Sequence, residues 1–198
     1  IIISQKIQEE KDSLMSLLNI ISNISENHHH NSTFYDKTDQ IINFFKDELK
    51  NQFSEEEIFN IFKYSRRILL YIIKEKIITV NENMASQMCY APIYFYPEIF
   101  AFPNVVSNNL RFFAHPMIKS IYEFKIPDNF EELRKEGENE NKICKLIRND
   151  SLDDFIVFIN QYSIKHDSFI NYSFYETNSF LDYVQNRTID VYDHYHCE

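Results

Sequence analysis

"SEEEIFNIFKYSRRILLYIIKEK", residues 54–76, reads as two helices joined by a short break. Ser54 and, three residues on, Glu57 form a capping box: the hydroxyl can accept from the Glu57 amide while the carboxylate returns to the Ser54 amide. The helix this opens carries Phe59, Ile61 and Phe62. Glu55, Glu56 and Glu57 fill its first turn, where negative charge complements the positive end of the helix dipole. The acidic triplet is therefore read as a cap, not as an acid–base pair or a metal site. Ser65 is placed to cap a second helix over 66–76, whose Ile68, Leu69, Ile72 and Ile73 make it apolar nearly all round. A helix of that kind is covered on most sides by neighbours.

The same period extends in both directions. Ile7, Leu14, Leu17, Leu18, Ile21 and Ile24 recur at helical spacing, and with Gln8, Glu9, Lys11 and Asp12 opposite they predict one amphipathic helix over 4–26. Ile41, Ile42, Phe44, Phe45 and Leu49 predict a second over about 35–52, which makes 28–32 a helix–helix connection. From 90 to 128 the pattern loosens. Pro92, Pro97, Pro103 and Pro116 alternate there with Tyr94, Phe95, Tyr96, Phe100, Phe102, Phe112 and Phe113, as expected for short helices and turns glued to a core by rings. Any exposed part of that segment is the leading candidate for a partner-binding patch. The charged stretch 131–142 around Gly137 is expected to be a solvent-exposed helix and turn. Two short helices follow, 142–148 and 152–161, separated by Asn149-Asp150-Ser151, with Ser151 and Asp154 in cap positions.

Composition excludes several function classes. The chain has a single glycine, Gly137, so no dinucleotide-binding fingerprint, phosphate-binding loop or nucleophile elbow can be written. A net charge of −10 repels phosphate backbones, and the one basic cluster, Lys63-Tyr64-Ser65-Arg66-Arg67, is short, so nucleic acid is not expected as a partner. Cys89, Cys144 and Cys197 are scattered and odd in number, which suits a reducing, intracellular compartment, with the cytoplasm as the expected location. The longest apolar run, 68–73, is far below the roughly 20 residues of a membrane span, so none is expected. A chain opening on Ile1 without an initiator methionine is expected to be a fragment or a processed product.

Two constellations invite sharper chemistry. His28, His29 and His30 could in principle join His194, His196 and Cys197 of the end of the chain around a metal. Adjacent histidines, however, do not fall on one side of an element as the i, i+4 pairs of built sites do. They are read as exposed and unliganded. Cys144 could be drawn as a thiol with His115 or His166 as its base, but it falls on an apolar helix face with Ile143 and Ile147, where cysteine acts as a small hydrophobe. No catalytic, cofactor-binding or metal-binding residue is assigned.

"FSEEEIFNIFKYSRRILLYIIKEKII", "YFYPEI", "RKEGENENKICKLIRNDSLDDFIVFINQ" and "FYETNSFL" resemble the N-terminal region of large ankyrin-repeat families in trichomonad protists, over about residues 5–181. The resemblance implies a helical cap and a role in binding proteins. It ends at "LDYVQNRTIDVYDHYHCE", 181–198, which lacks the alanine-rich, glycine-containing pattern of an ankyrin array. The expectation is thus an all-α chain of stacked antiparallel helix pairs, a degenerate ankyrin-like solenoid. It divides into an N-terminal helical domain over 1–127, ankyrin-like helix pairs over 128–181 and an atypical tail over 182–198. Its expected role is non-enzymatic binding of another protein, without a cofactor. The alternatives are a metal-dependent enzyme using the histidine-rich segments, or a truncated gene product without a function of its own.

Overall fold

The computed structural model describes residues 2–27, 32–108, 126–137, 141–164, 173 and 175. Among these the fold is all-helical, without a strand. The described residues fall into two compact units, one within Ile1–Phe124 and one within Lys125–Glu176.

The first unit is built on α1 (Ile2–Asn27), whose Leu14, Leu18 and Ile21 are buried at the spacing the sequence predicts. α2 (Ser32–Phe44) and α3 (Lys46–Gln52) replace the single expected helix. The break is one residue long: Phe45 sits at φ −94°, ψ 13°, yet its amide still reaches the Ile41 carbonyl at 3.1 Å and its carbonyl accepts from Leu49 at 2.8 Å. α4 (Glu55–Phe62) starts on the full capping box, with Ser54 Oγ accepting from the Glu57 amide at 3.2 Å and Glu57 Oε2 accepting from the Ser54 amide at 2.7 Å. The other two carboxylates of the triplet are also committed. Glu55 accepts from the Thr79 amide at 3.1 Å, and Glu56 from the Asn81 side chain at 3.3 Å. Phe59 and Phe62 are fully buried, each contributing about 1.5–3 kcal/mol by leaving water.

α5 (Arg66–Lys74) is the most enclosed helix of the unit, with Ile68, Leu69, Leu70 and Ile72 buried. It packs on α2 and α4, while α1 packs on α4. Ser65 precedes it but does not cap it. Its hydroxyl is buried and instead joins α1, receiving the Ser25 Oγ hydrogen at 2.7 Å and pairing with Ser22 Oγ at 3.0 Å, while Ser22 Oγ donates to the Ile61 carbonyl at 2.8 Å. In a dry contact these hydroxyls must satisfy one another, and that need wins over the cap. α5 ends in a Schellman motif: Lys76 takes φ 55°, its amide reaches the Ile73 carbonyl, and the amide of buried Ile77 reaches that of Ile72, each at 3.0 Å.

α6 (Glu82–Gln87), capped by Asn81, a 3₁₀ turn (Met88–Tyr90), α7 (Tyr96–Phe100) and α8 (Pro103–Asn108) complete the described part of this unit. α7 and α8 are the short helices expected of the proline-interrupted segment, with Tyr94, Phe95 and Ile99 anchoring it in the core, whereas α6 lies ahead of that segment, where no helix was expected.

In the second unit, α9 (Phe130–Glu136) departs from the exposed helix expected there. Phe130, Leu133 and Arg134 are buried, the last at 1% exposure, with Nη1 3.0 Å from Glu131 Oε1 and the guanidinium carbon 5.1 Å from the Phe130 ring centroid. The charge run hid an apolar i, i+3 pair, Phe130 and Leu133, and a cation stacked on a ring. The helix stops on Gly137, at φ 64°. α10 (Lys142–Arg148) and α11 (Leu152–Gln161) occupy the expected ranges and pack on each other. Asn141 caps α10, its Oδ1 accepting from the Ile143 amide at 2.8 Å, whereas Ser151, expected to cap α11, makes no side-chain cap bond. Between them Asp150 takes φ 51°, and the Ser151 amide reaches back to the Leu146 carbonyl at 3.0 Å, a second Schellman closure.

Candidate interaction surfaces

The histidines at 28–30, the residues at 193–198, and His115 and His166 all lie outside the described residues. Among the described residues no three His, Cys, Asp or Glu side chains are grouped so as to hold a metal ion. Cys89 is buried on the 3₁₀ turn with Sγ 3.5 Å from the Ala85 carbonyl, and burial pushes its thiol pKa up, away from a nucleophilic thiolate. Cys144 is half-buried, and its expected neighbours divide. Leu146 is the enclosed residue of α10, Ile143 is half-buried, and Ile147 points outward. The buried stripe runs through 143 and 146, which leaves Ile147 a further 100° round the helix.

The basic cluster is occupied by rings. Arg66 is buried with its guanidinium carbon 5.4 Å from the Tyr90 centroid and 5.9 Å from that of Tyr94, and Arg67 lies 4.2 Å over Tyr35. Lys63 lies 5.3 Å over Tyr64, and its carbonyl accepts from the Tyr90 hydroxyl. Within the aromatic segment, Tyr94 and Phe95 meet edge-on at 4.9 Å in the core, and Tyr96 stacks on Phe100 at 4.1 Å. The described rings therefore cover the helical core, as their spacing between prolines suggested. Among the described tyrosines and phenylalanines of this cluster, Tyr64 is largely open to solvent and Tyr90 partly so.

An apolar surface stands open on α11. This helix, "LDDFIVFINQ", has no buried residue although six of its ten side chains are apolar: Leu152, Phe155, Ile156, Val157, Phe158 and Ile159. Leu152 is 64% exposed, Val157 63%, and Ile147 of α10 59%. Ile156 and Tyr162 are exposed with them. Asp153 and Asp154 occupy the first turn, where they complement the dipole, and the helix closes on Ser163 at φ 50° with the Ile164 amide bonded to the Ile159 carbonyl at 2.9 Å. The hairpin is thus locally complete in its backbone bonds while its outer side offers apolar area to a neighbour. Sequence reading found both helices but not this asymmetry, because an apolar stripe looks the same whether or not a neighbour covers it.

No protein-family model, curated protein or solved structure matches the chain. Among the described residues no helix is long and apolar enough to cross a membrane. The surfaces themselves therefore carry the functional argument.

Proposed function

We propose that this chain is a protein-binding module of stacked helix pairs, degenerate and ankyrin-like, that acts without catalysis. The observation that carries the reading is the exposure of four large aliphatic side chains on the α10–α11 pair, Ile147, Leu152, Ile156 and Val157. Stacked helix pairs bury such a side against the next pair, and a pair that ends a stack offers it to a partner. Aliphatic side chains left this exposed lose about 1.5–3 kcal/mol each relative to burial, which a bound partner would recover.

The test is affinity capture from native lysate with the full chain as bait, beside Leu152→Asp/Val157→Asp. Both side chains are exposed, so the variant should keep its circular dichroism spectrum and melting temperature. A saturable protein partner held by the parent and lost by the variant supports the reading. A partner held equally by both places binding elsewhere, and the absence of any saturable partner overturns the reading.

A further inference from the structure

A groove of about 580 Å³ lies in the first unit between α1 and the segment of Phe45 and α3. Its apolar floor is Leu14, Leu17 and Phe45, and its rim carries the carboxylates of Glu9, Glu10 and Glu48. Each wall is one helical face: 10, 14 and 17 on α1, and 45, 48 and 52 along α3, follow the i, i+3/i+4, i+7 spacing. The three glutamates differ from the other acidic residues nearby. Glu57 is paired with Lys11 at 3.0 Å and Glu75 with Lys46 at 2.9 Å, whereas Glu9, Glu10 and Glu48 have no side-chain ion pair or hydrogen bond among the described residues. Gln52 also lines the groove, and its buried Oε1 accepts no hydrogen bond. The site therefore combines open apolar floor with acceptors and negative charge, and supplies no cation of its own.

We propose that this groove docks a basic amphipathic helix of a partner protein. Two apolar side chains one turn apart on the incoming helix meet Leu14, Leu17 and Phe45, and flanking Lys or Arg residues face Glu9, Glu10 and Glu48. Helix-in-groove recognition uses this i, i+3/i+4 anchoring, and charge complementarity fixes its register. The apolar stripe continues beyond the groove, because Ile20 and Ile24 stand exposed on the same face of α1 as Leu17. That gives a helical ligand more length than a small cation could use. A second copy of the chain is a poor occupant: the net charge is −10, and the basic cluster at 63–67 is engaged with Tyr35, Tyr64, Tyr90 and Tyr94. The groove belongs to the first unit and α11 to the second, and either proposal can fail without the other.

The probe is a fluorescent helical peptide of Leu and Lys, about 16 residues long so that it can hold a helix when bound. It is compared with a peptide of the same composition scrambled to destroy its apolar face, and with one in which Glu replaces Lys. The expected result is saturable binding of the first peptide only, with chemical-shift changes centred on Leu14, Leu17 and Phe45. Glu9→Gln/Glu10→Gln/Glu48→Gln should raise its Kd by about tenfold, on the scale of modest exposed charge pairs acting together. Asp36→Asn/Glu132→Gln, which removes charge elsewhere, should leave Kd within about twofold. All these positions are solvent-facing glutamates or aspartates, so the variants should fold, and the circular dichroism spectrum checks it. Equal binding of the scrambled peptide, an unchanged Kd in the triple variant, or shifts centred away from the groove would each overturn the proposal. Spermine binding as tightly as the peptide would also overturn it, by making the groove a small-cation site.

Discussion

Replacing Lys76 by glycine should stabilise the first unit, and the size of the gain follows from the backbone. Lys76 is the left-handed residue that closes α5, at φ 55°, with its own amide and that of Ile77 both satisfied by helix carbonyls. An L-residue in this region carries a steric cost of about 1–2 kcal/mol that glycine lacks. Glycine loses more backbone entropy on folding, which takes back about 0.5–1 kcal/mol. The net expectation for Lys76→Gly is therefore about 0–1.5 kcal/mol of added stability. The side chain is exposed and makes no ion pair among the described residues, so little else changes.

Urea unfolding should show a higher midpoint with an unchanged slope, and the melting temperature should rise by about 2–4 °C per kcal/mol for a chain of this size. Two companions fix the sign. Lys76→Val, with a β-branched side chain forced to positive φ, should destabilise, and Lys50→Gly, at a helical position of α3, should lose about 0.5–1 kcal/mol. If Lys76→Gly proved as destabilising as Lys50→Gly, the left-handed closure of α5 would be refuted.

Other positions give equally definite expectations. Ser54→Ala removes the α4 cap and should cost about 1 kcal/mol, read from denaturant midpoints. Glu57 is held below the usual carboxylate range by the Ser54 amide and then by Lys11, so its stabilising contribution is present above the ordinary glutamate pKa of about 4.3 and fades as pH falls through its lower folded value. Midpoints measured against pH should show this fade in the parent and lose it in Glu57→Gln, which has no carboxylate for the Ser54 amide and Lys11 to hold ionised. Arg134→Ala should destabilise the second unit by about 2–4 kcal/mol, because it opens a cavity beside Phe130, while loss of the ion pair to Glu131, which is 56% exposed, adds less than about 1 kcal/mol; a surface arginine would cost almost nothing, and thermal unfolding reads the difference. In a Cys197→Ser background, Cys89 should react with a thiol reagent far more slowly than half-buried Cys144, and mass spectrometry of partially labelled protein gives the order.

The helices themselves were legible wherever an apolar stripe and a polar start signal coincide. α1, the capping box of α4, and the ranges of α10 and α11 follow from spacing and from Ser54 and Glu57 alone. Three kinds of feature were not legible. The stops of α5, α10 and α11 fall on Lys76, Asp150 and Ser163, while only α9 stops on the glycine that normally marks such a site. With one glycine in 198 residues, left-handed closures must use residues that carry no signal for them. The Ser22–Ser25–Ser65 contact joins residues 40 and 43 positions apart, so local reasoning assigned Ser65 to the nearest helix start. The burial of Arg134 depends on a ring and a carboxylate supplied around it, and nothing in a charged run announces that. For the candidate surfaces, the residues of the groove and of α11 were visible as apolar helix faces, but which faces lack a neighbour is a property of packing.

The contrast between α5 and α11 turns that last point into a measurable difference. Both are short apolar helices closed by a Schellman motif, so their local codes are alike. In isolation a helix of about ten residues is marginal in water, because nucleation fixes several residues for one hydrogen bond. α5 escapes this through burial of Ile68, Leu69, Leu70 and Ile72, whereas α11 has no buried side chain and packs chiefly on α10 among the described helices. Its backbone hydrogen bonds should therefore open at a free energy well below that of global unfolding. Hydrogen exchange should show α11 amides exchanging at least about tenfold faster than those of α5, a gap of 1.4 kcal/mol or more in opening free energy. A partner covering Leu152 and Val157 should slow the α11 amides selectively. Equal protection of α5 and α11 in the free chain would mean that the outer side of α11 is covered in solution, and would remove the observation on which the binding reading stands.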